Sequence, residues 1–365
     1  MAGKTERDIR LARDKSTDTP IHPDTSSIGA LEWPPIVASE SRLKGIYPEV
    51  IADPLKVINL FTEVKQLPFQ DGPDSSDVSR ISARAFITRE AFRAAIVSEP
   101  GLIAYLTEGA IDLEGTQRPE LDDLVWVYLG RNDPRRRSNH HDFSLRIDDV
   151  AQIFSGDEVD VIERADPQYG KKGYSIDLLP ANASEDTLVI NQYAKLYQIF
   201  GRTREEVITM LKQPSNIHVA AFHGGDLISA GIAELGEIPL IRNGQRVPIK
   251  FAEITEAATD EVYRRQGFYT IVANHLNRQC AKLDLDFVMA ESNTSSLGVI
   301  VSAKHQGRRT SLEVLKSFGL PLRLLEQHVR IFEGSADNRP TEEKNDLVPT
   351  FMTRKTLQDR YGNQK

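Results

Sequence analysis

The stretch EITEAATDEVYRRQGFYTIVANHL, Glu253 to Leu276, decides the fold. It opens inside the run KFAEITEAA, Lys250 to Ala258, which reads as a strand. A charged turn with one glycine follows. From Phe268 to Leu283 the pattern is helical, with Ile271, Val272, His275 and Leu276 on one face. Such a strand–turn–helix junction favours an anion. The first N–H groups of a helix lack intrahelical acceptors, and the macrodipole adds partial positive charge at that end. Gly267 lets a ligand approach the backbone closely, and Arg264 and Arg265 add charge. The same residues also suit an ordinary helix start with two surface arginines, and the junction alone leaves both readings open.

Outward from the junction, the elements fall in a definite order. YSIDLLP from Tyr174 reads as a strand leaving the core at Pro180. Ser184 to Phe200 reads as a helix with Ser184 as its N-cap, and Thr203 opens a second helix that stops before Pro214. Ile217–Phe222 and Leu227–Leu235 flank a Gly224–Gly225 turn and make a hairpin; Asn243–Gly244 leads to the strand at Lys250. After the long helix come a strand, Asp286–Ser292, and a short helix ended by Gly307. The order is strand, two helices, three strands, helix, strand, helix.

The first folded half, about Leu43 to Pro167, mixes elements. Thr88–Glu99 is a helix capped by Thr88, and LVWVYLG from Leu124 is a buried strand. FSLRI (Phe143–Ile147) and EVDVIE (Glu158–Glu163) alternate as half-buried strands do. The expected division is a mobile arm over 1–42, an α+β domain over 43–170, a second domain over 171–335 and a tail over 336–365. In that tail Val348–Met352 docks locally. No internal repeat is visible. The 365 residues carry a net charge of −8, which argues against a nucleic-acid partner. No run reaches a membrane span and no apolar signal follows the charged N-terminus. The single cysteine, Cys280, excludes a disulfide framework and multi-cysteine metal sites and fits a reducing, cytoplasmic location.

The element order, together with Arg264-Arg265-Gln266-Gly267-Phe268-Tyr269, resembles the GNAT superfamily of acyl-CoA N-acyltransferases. The hexapeptide resembles the family's pyrophosphate loop, with Gly267 as its first glycine and Tyr269 in place of the second small residue. Within the superfamily, EITEAATDEVYRRQG and YAKLYQIFG are similar to segments of microbial β-lysine N-acetyltransferases. The resemblance spans about Tyr174 to Gly307 and implies an α+β fold. A mixed, mostly antiparallel sheet flanked by helices would form the C-terminal half, after a smaller α+β domain. It further implies that the N–H groups of Gln266, Gly267, Phe268 and Tyr269 cradle the pyrophosphate between Arg264 and Arg265. Strand Ala252–Ala258 would lie beside the pantetheine arm, and Asn293 would contact the cofactor unless it is a turn residue.

Aminolysis of a thioester needs a neutral amine, and a carboxylate on the central strand can take its proton. Glu253 and Glu256 are the candidates. Period 2 sets them on opposite faces unless a bulge intervenes. Glu253 has the stronger positional claim as base, Glu256 could bind a cationic substrate, and either could be a structural acid paired with an arginine. The tyrosine that many members use as general acid is absent, Ile300 falling near its place. His140–His141–Asp142 is not expected to form a joint site, His275 and His305 read as packing or surface residues, and Cys280 reads as a core residue.

The expected activity is transfer of an acetyl or longer acyl group from acyl-CoA to a primary amine of a small molecule, with no metal, nucleic acid or membrane involved. The N-terminal half would shape the acceptor pocket or a homodimer interface. The alternatives are a non-catalytic acyl-CoA-binding module and a protein-lysine acyltransferase.

Overall fold

The computed structural model describes residues 20–21, 36–39, 42–66, 80–105, 109–132, 173–179, 181–293, 297–319 and 347–362. The expected strands at Phe143 and Glu158, the basic run Asp133–His141 and the His140–His141 pair lie outside them. The expected fold class is the one observed. It is a mixed α+β chain built on a 13-stranded sheet flanked by helices.

The first half contains β1 (Pro20–Ile21), β2 (Ile36–Ser39), β3 (Arg42–Ile51), α1 (Pro54–Gln66), β4 (Arg80–Thr88), α2 (Arg89–Ser98), β5 (Gly109–Asp112) and β6 (Leu124–Asn132). Val57, Leu60, Phe61 and Val64 recur at helical spacing and bury one face of α1. Trp126 lies at the centre of this half, stacked with Phe86.

The second half begins with β7 (Tyr174–Leu178), α3 (Thr187–Tyr197), α4 (Arg204–Lys212), β8 (Asn216–His223) and β9 (Asp226–Arg242). It continues through β10 (Gln245–Thr259), α5 (Phe268–Ala281), β11 (Phe287–Asn293), α6 (Leu297–His305), β12 (Arg309–Thr310), α7 (Ser311–Ser317), β13 (Leu347–Thr353) and α8 (Arg354–Leu357). Two boundaries need correction. Ser184 does not cap α3; residues Ala181–Glu185 form a 3-10 turn, and the Asp186 carboxylate accepts from the N–H groups of Leu188 and Val189. The segment expected to dock locally near Val348 is β13, a full strand antiparallel to β11.

The two halves run the same course. In the first, β3 pairs in parallel with β4 across α1, and β6 pairs antiparallel with β4 and with β5. In the second, β10 pairs in parallel with β11 across α5, and β13 pairs antiparallel with β11 and with β12. This repeat is one of topology, and it has no counterpart in residue identity that the sequence reading detected.

The halves share a core. Trp126 packs 5.7 Å from Phe287 and 6.3 Å from Phe251, so the sheet curls until β6 lies against the β10 and β11 face. Ile238, Leu240, Ile249, Phe251, Phe287, Met289 and Phe351 belong to the same buried cluster as the first half. The buried Asp286 carboxylate ties the loop before β6 to the second half, accepting from Arg118, Arg354 and the Lys250 N–H. The opposite sheet face carries α5, and α3 and α4 cover the remaining end of the first face.

Candidate active site

The site lies where β10 and β11 part. They pair in parallel only at Phe251–Phe287, Ala252–Val288 and Glu253–Met289. Beyond this point β10 runs on to Thr259 beside β9, and β11 runs on to Asn293 beside β13. Among the described residues no strand fills the wedge between them. Backbone groups along such an opening can pair with an extended ligand as they would with another strand.

A bulge sits on the β9 side of the wedge. The β10–β9 register runs regularly to Thr255–Ile232 and resumes at Ala258–Ala230, so two residues of β10 face Gly231. Glu256 is the inserted residue, with a φ of 51°. A non-glycine residue in that region costs of order 1 kcal/mol and persists only where its surroundings enforce it. Here the Glu256 carboxylate is buried and accepts a 2.6 Å hydrogen bond from Arg202 Nη2, in the loop between α3 and α4. A side chain at Gly231 would meet Val272 and Leu276 of α5 at tight distances of 3.0 and 3.1 Å.

The bulge is the exception under which Glu253 and Glu256 need not lie on opposite faces. Ile249 and Phe251 face the shared core, so alternation sets Glu253 and Thr255 on that face too. After the inserted residue, Ala258 returns to this face among the residues under α3 and α4, where Arg202 also meets Glu256. Glu253 and Glu256 therefore share a face. Glu253 is half-buried at the last paired position before the wedge.

Directly opposite Glu253 on β9 stands Glu234, also half-buried, a residue the sequence reading missed. The signal was present. Asn243 and Gly244 both have positive φ and join Arg242 to Gln245 as a two-residue hairpin turn. Counting back from that turn brings Glu234 beside Glu253. Arg202 was missed as well, and no local pattern marks it, because its partner lies in a distant strand.

The loop below the wedge keeps its shape through two left-handed residues, Arg265 at φ 63° and Gly267 at φ 88°. Arg264 before them is extended, at φ −62° and ψ 155°. Arg264, Arg265, Gln266 and Gly267 are exposed, whereas the Phe268 ring is buried, so Phe268 can offer a ligand only its backbone. Tyr269 is partly buried, as the second residue of α5. Thr88, Asp186, Thr203 and Thr310 close the starts of α2, α3, α4 and α7 with their own side chains. At α5 the N-cap is Gly267, and no side chain caps the helix. Asn293 ends β11, its backbone on the far wall of the wedge. Cys280 is buried in α5, and burial pushes its thiol up to about 12, which removes it as a nucleophile.

No family model matches the chain, and no curated protein does. Solved structures do resemble it. A probable N-acyltransferase from Enterococcus faecalis V583 is 14% identical over 32% of this chain, with a TM-score of 0.26; the match covers only 29% of that longer protein. The ribosomal-protein-S18-alanine N-acetyltransferase of Escherichia coli is 12% identical, over 49% of this chain and 93% of its own, with a TM-score of 0.33. An N-acetyltransferase from Staphylococcus aureus Mu50 is 12% identical, over 50% of this chain and 97% of its own, with a TM-score of 0.32. Among the described residues, no helix is long and apolar enough to cross a membrane, and no group of three His, Cys, Asp or Glu could hold a metal.

Proposed function

We propose that the chain is an acyl-CoA-dependent N-acyltransferase acting on a primary amine of a small molecule, such as an amino acid. The observation that carries this reading is the pairing of a parallel strand wedge with an uncapped helix start beneath it. Those residues fit an acyl-CoA. The Gln266–Tyr269 backbone and the flanking Arg264 and Arg265 suit a diphosphate. The open strand edges suit an extended amide-bearing arm, which is what pantetheine offers. Once bound, the acyl-CoA supplies the activated acyl group as a thioester.

The chain's own residues then handle the acceptor. Glu253, half-buried at the mouth of the wedge, takes the proton of the attacking amine. Glu234 beside it adds negative charge that draws a protonated amine into place. Glu256 holds Arg202 and fixes the loop between α3 and α4, which in this reading borders the acceptor. The N-terminal half comes near this point through Tyr128, whose hydroxyl lies 3.7 Å from Met289 Sδ, the residue paired in register with Glu253. We place the reaction in a reducing compartment, the cytoplasm, in keeping with the lone buried thiol.

The test has two steps. Coenzyme A should raise the melting temperature, since a ligand that binds only the native chain stabilises it. Thiol release from acetyl-CoA should then depend on an amine drawn from a broad panel. A second reading, a non-catalytic acyl-CoA-binding module, is favoured by one observation: one of the two candidate carboxylates is committed to Arg202. Binding without thiol release across the panel would establish the module instead.

A further inference from the structure

The pyrophosphate loop is bracketed by two aromatic residues, Tyr263 before it and Phe268 after it. Both are rooted in the far side of the sheet. Tyr174 of β7 and His223 of β8 stand directly opposite each other in register, their rings 4.3 Å apart. Phe268 lies 5.0 Å from Tyr174, and Tyr263 meets both Tyr174 and Phe268 edge-on. One polar contact closes the group: His223 Nδ1 and the Tyr263 hydroxyl are 3.0 Å apart. His223 is itself fixed by the adjacent turn, where Gly224 and Gly225 both take positive φ and return the chain to Asp226.

This cluster answers a question the loop poses. Arg265 is a non-glycine residue in a left-handed conformation, exposed, and without a side-chain cap beside it. Such a conformation persists only where neighbours over-determine it. Within the loop, Arg264 Nε donates to Thr259 O, the Arg264 N–H to Glu261 O, Gln266 Nε2 to Val262 O, and the Tyr263 N–H to Asp260 O. Its two ends add the ring contacts of Tyr263 and Phe268, and the Tyr263 hydroxyl meets His223.

We propose that His223 and Tyr263 form a latch that holds residues 264–267 in the anion-receiving shape, which makes His223 a positioning residue for the diphosphate of the acyl donor. The latch rests on the acyltransferase reading for its ligand. It acts by preorganisation: a loop already shaped for the ligand loses less freedom on binding. His223 contacts no reacting group, so the latch governs affinity for the nucleotide thioester and leaves the chemical step alone.

The experiment compares wild type, His223→Phe, Tyr263→Phe and the double variant, each keeping a ring in the cluster. Calorimetry with coenzyme A should show about a five- to tenfold weaker Kd for each single variant, the change expected for one lost hydrogen bond. The double variant should be no weaker than either single one, because both remove the same interaction. KM for the acyl donor should rise by a similar factor with kcat unchanged. Hydrogen exchange of residues 264–270, measured without ligand, should quicken in both single variants, a readout independent of activity. Unchanged affinity and exchange in both variants, additive losses, or a fall in kcat with KM preserved would overturn the latch. If wild type itself fails to bind coenzyme A, the acyltransferase reading falls and takes the latch's ligand with it. Quickened exchange in that case would still identify the structural contact.

Discussion

The units β3-α1-β4 and β10-α5-β11 share a topology and differ in how far their strands stay paired and in how their helix starts are closed. In the first, the parallel strands stay paired through eight register positions, from Arg42–Arg80 to Ile51–Ile87. In the second they part after three. Helix α1 starts at Pro54, which has no N–H to offer, and Asp53 fills the remaining space by accepting from the Leu55 N–H at 2.9 Å. Helix α5 starts after a glycine with two arginines beside it and no cap. The same fold element is thus shut by its own carboxylate in one half and left open in the other. A site here is a matter of omitted contacts as much as of added ones.

The comparison can be broken at several points. The largest effect should come from Glu253→Gln, which should lower turnover by about a hundredfold or more while coenzyme A affinity stays unchanged. Equal turnover in that variant would remove Glu253 as base. Next, the second half should make the chain sensitive to acid. Burial pushes His218 of β8 down to about 4. Between the ordinary histidine range and that value the unfolded chain takes a proton that the folded chain refuses, so stability falls as pH drops. The loss should reach about 1.5 kcal/mol from pH 6.5 to 5, read from urea midpoints. It should flatten in His218→Asn, and a slope that survives the substitution would assign it elsewhere.

Gly267→Val should weaken coenzyme A binding by roughly tenfold or more, because a β-branched residue resists the left-handed backbone the loop needs. Calorimetry should also return one bound coenzyme A per chain, and a stoichiometry of two would mean the first half is not shut. The smallest effect belongs to Asp53→Ala. It should cost about 1 kcal/mol of stability through the lost cap and leave coenzyme A affinity unaltered.

Much of the second half was legible because its signals are local. Thr203 caps α4 with a full capping box, as its spacing to Glu206 invites. The Gly224–Gly225 turn, the α5 start and the buried Cys280 also follow from neighbouring residues. Helix α1 was missed although Asp53-Pro54 is a recognisable helix start and Val57, Leu60, Phe61 and Val64 make a stripe. Other features were out of reach in principle. The bulge at Glu256 meets an arginine beyond another helix, and the topological repeat was not visible as a repeat of residues. Strand β13 shows only a short apolar run, and its place beside β11 is decided by a partner far away in the chain.

That last pairing bears on how the molecule assembles. Until Leu347–Thr353 arrives, β11 is held by β10 at three positions alone and presents an open edge on each side beyond them. Contacts of such long sequence separation form slowly, and unprotected edges invite pairing with other chains. Strand β11, the wall of the wedge that β13 backs, should therefore be the last part of the site to mature, and a nascent or partly unfolded chain should be most prone to aggregate there.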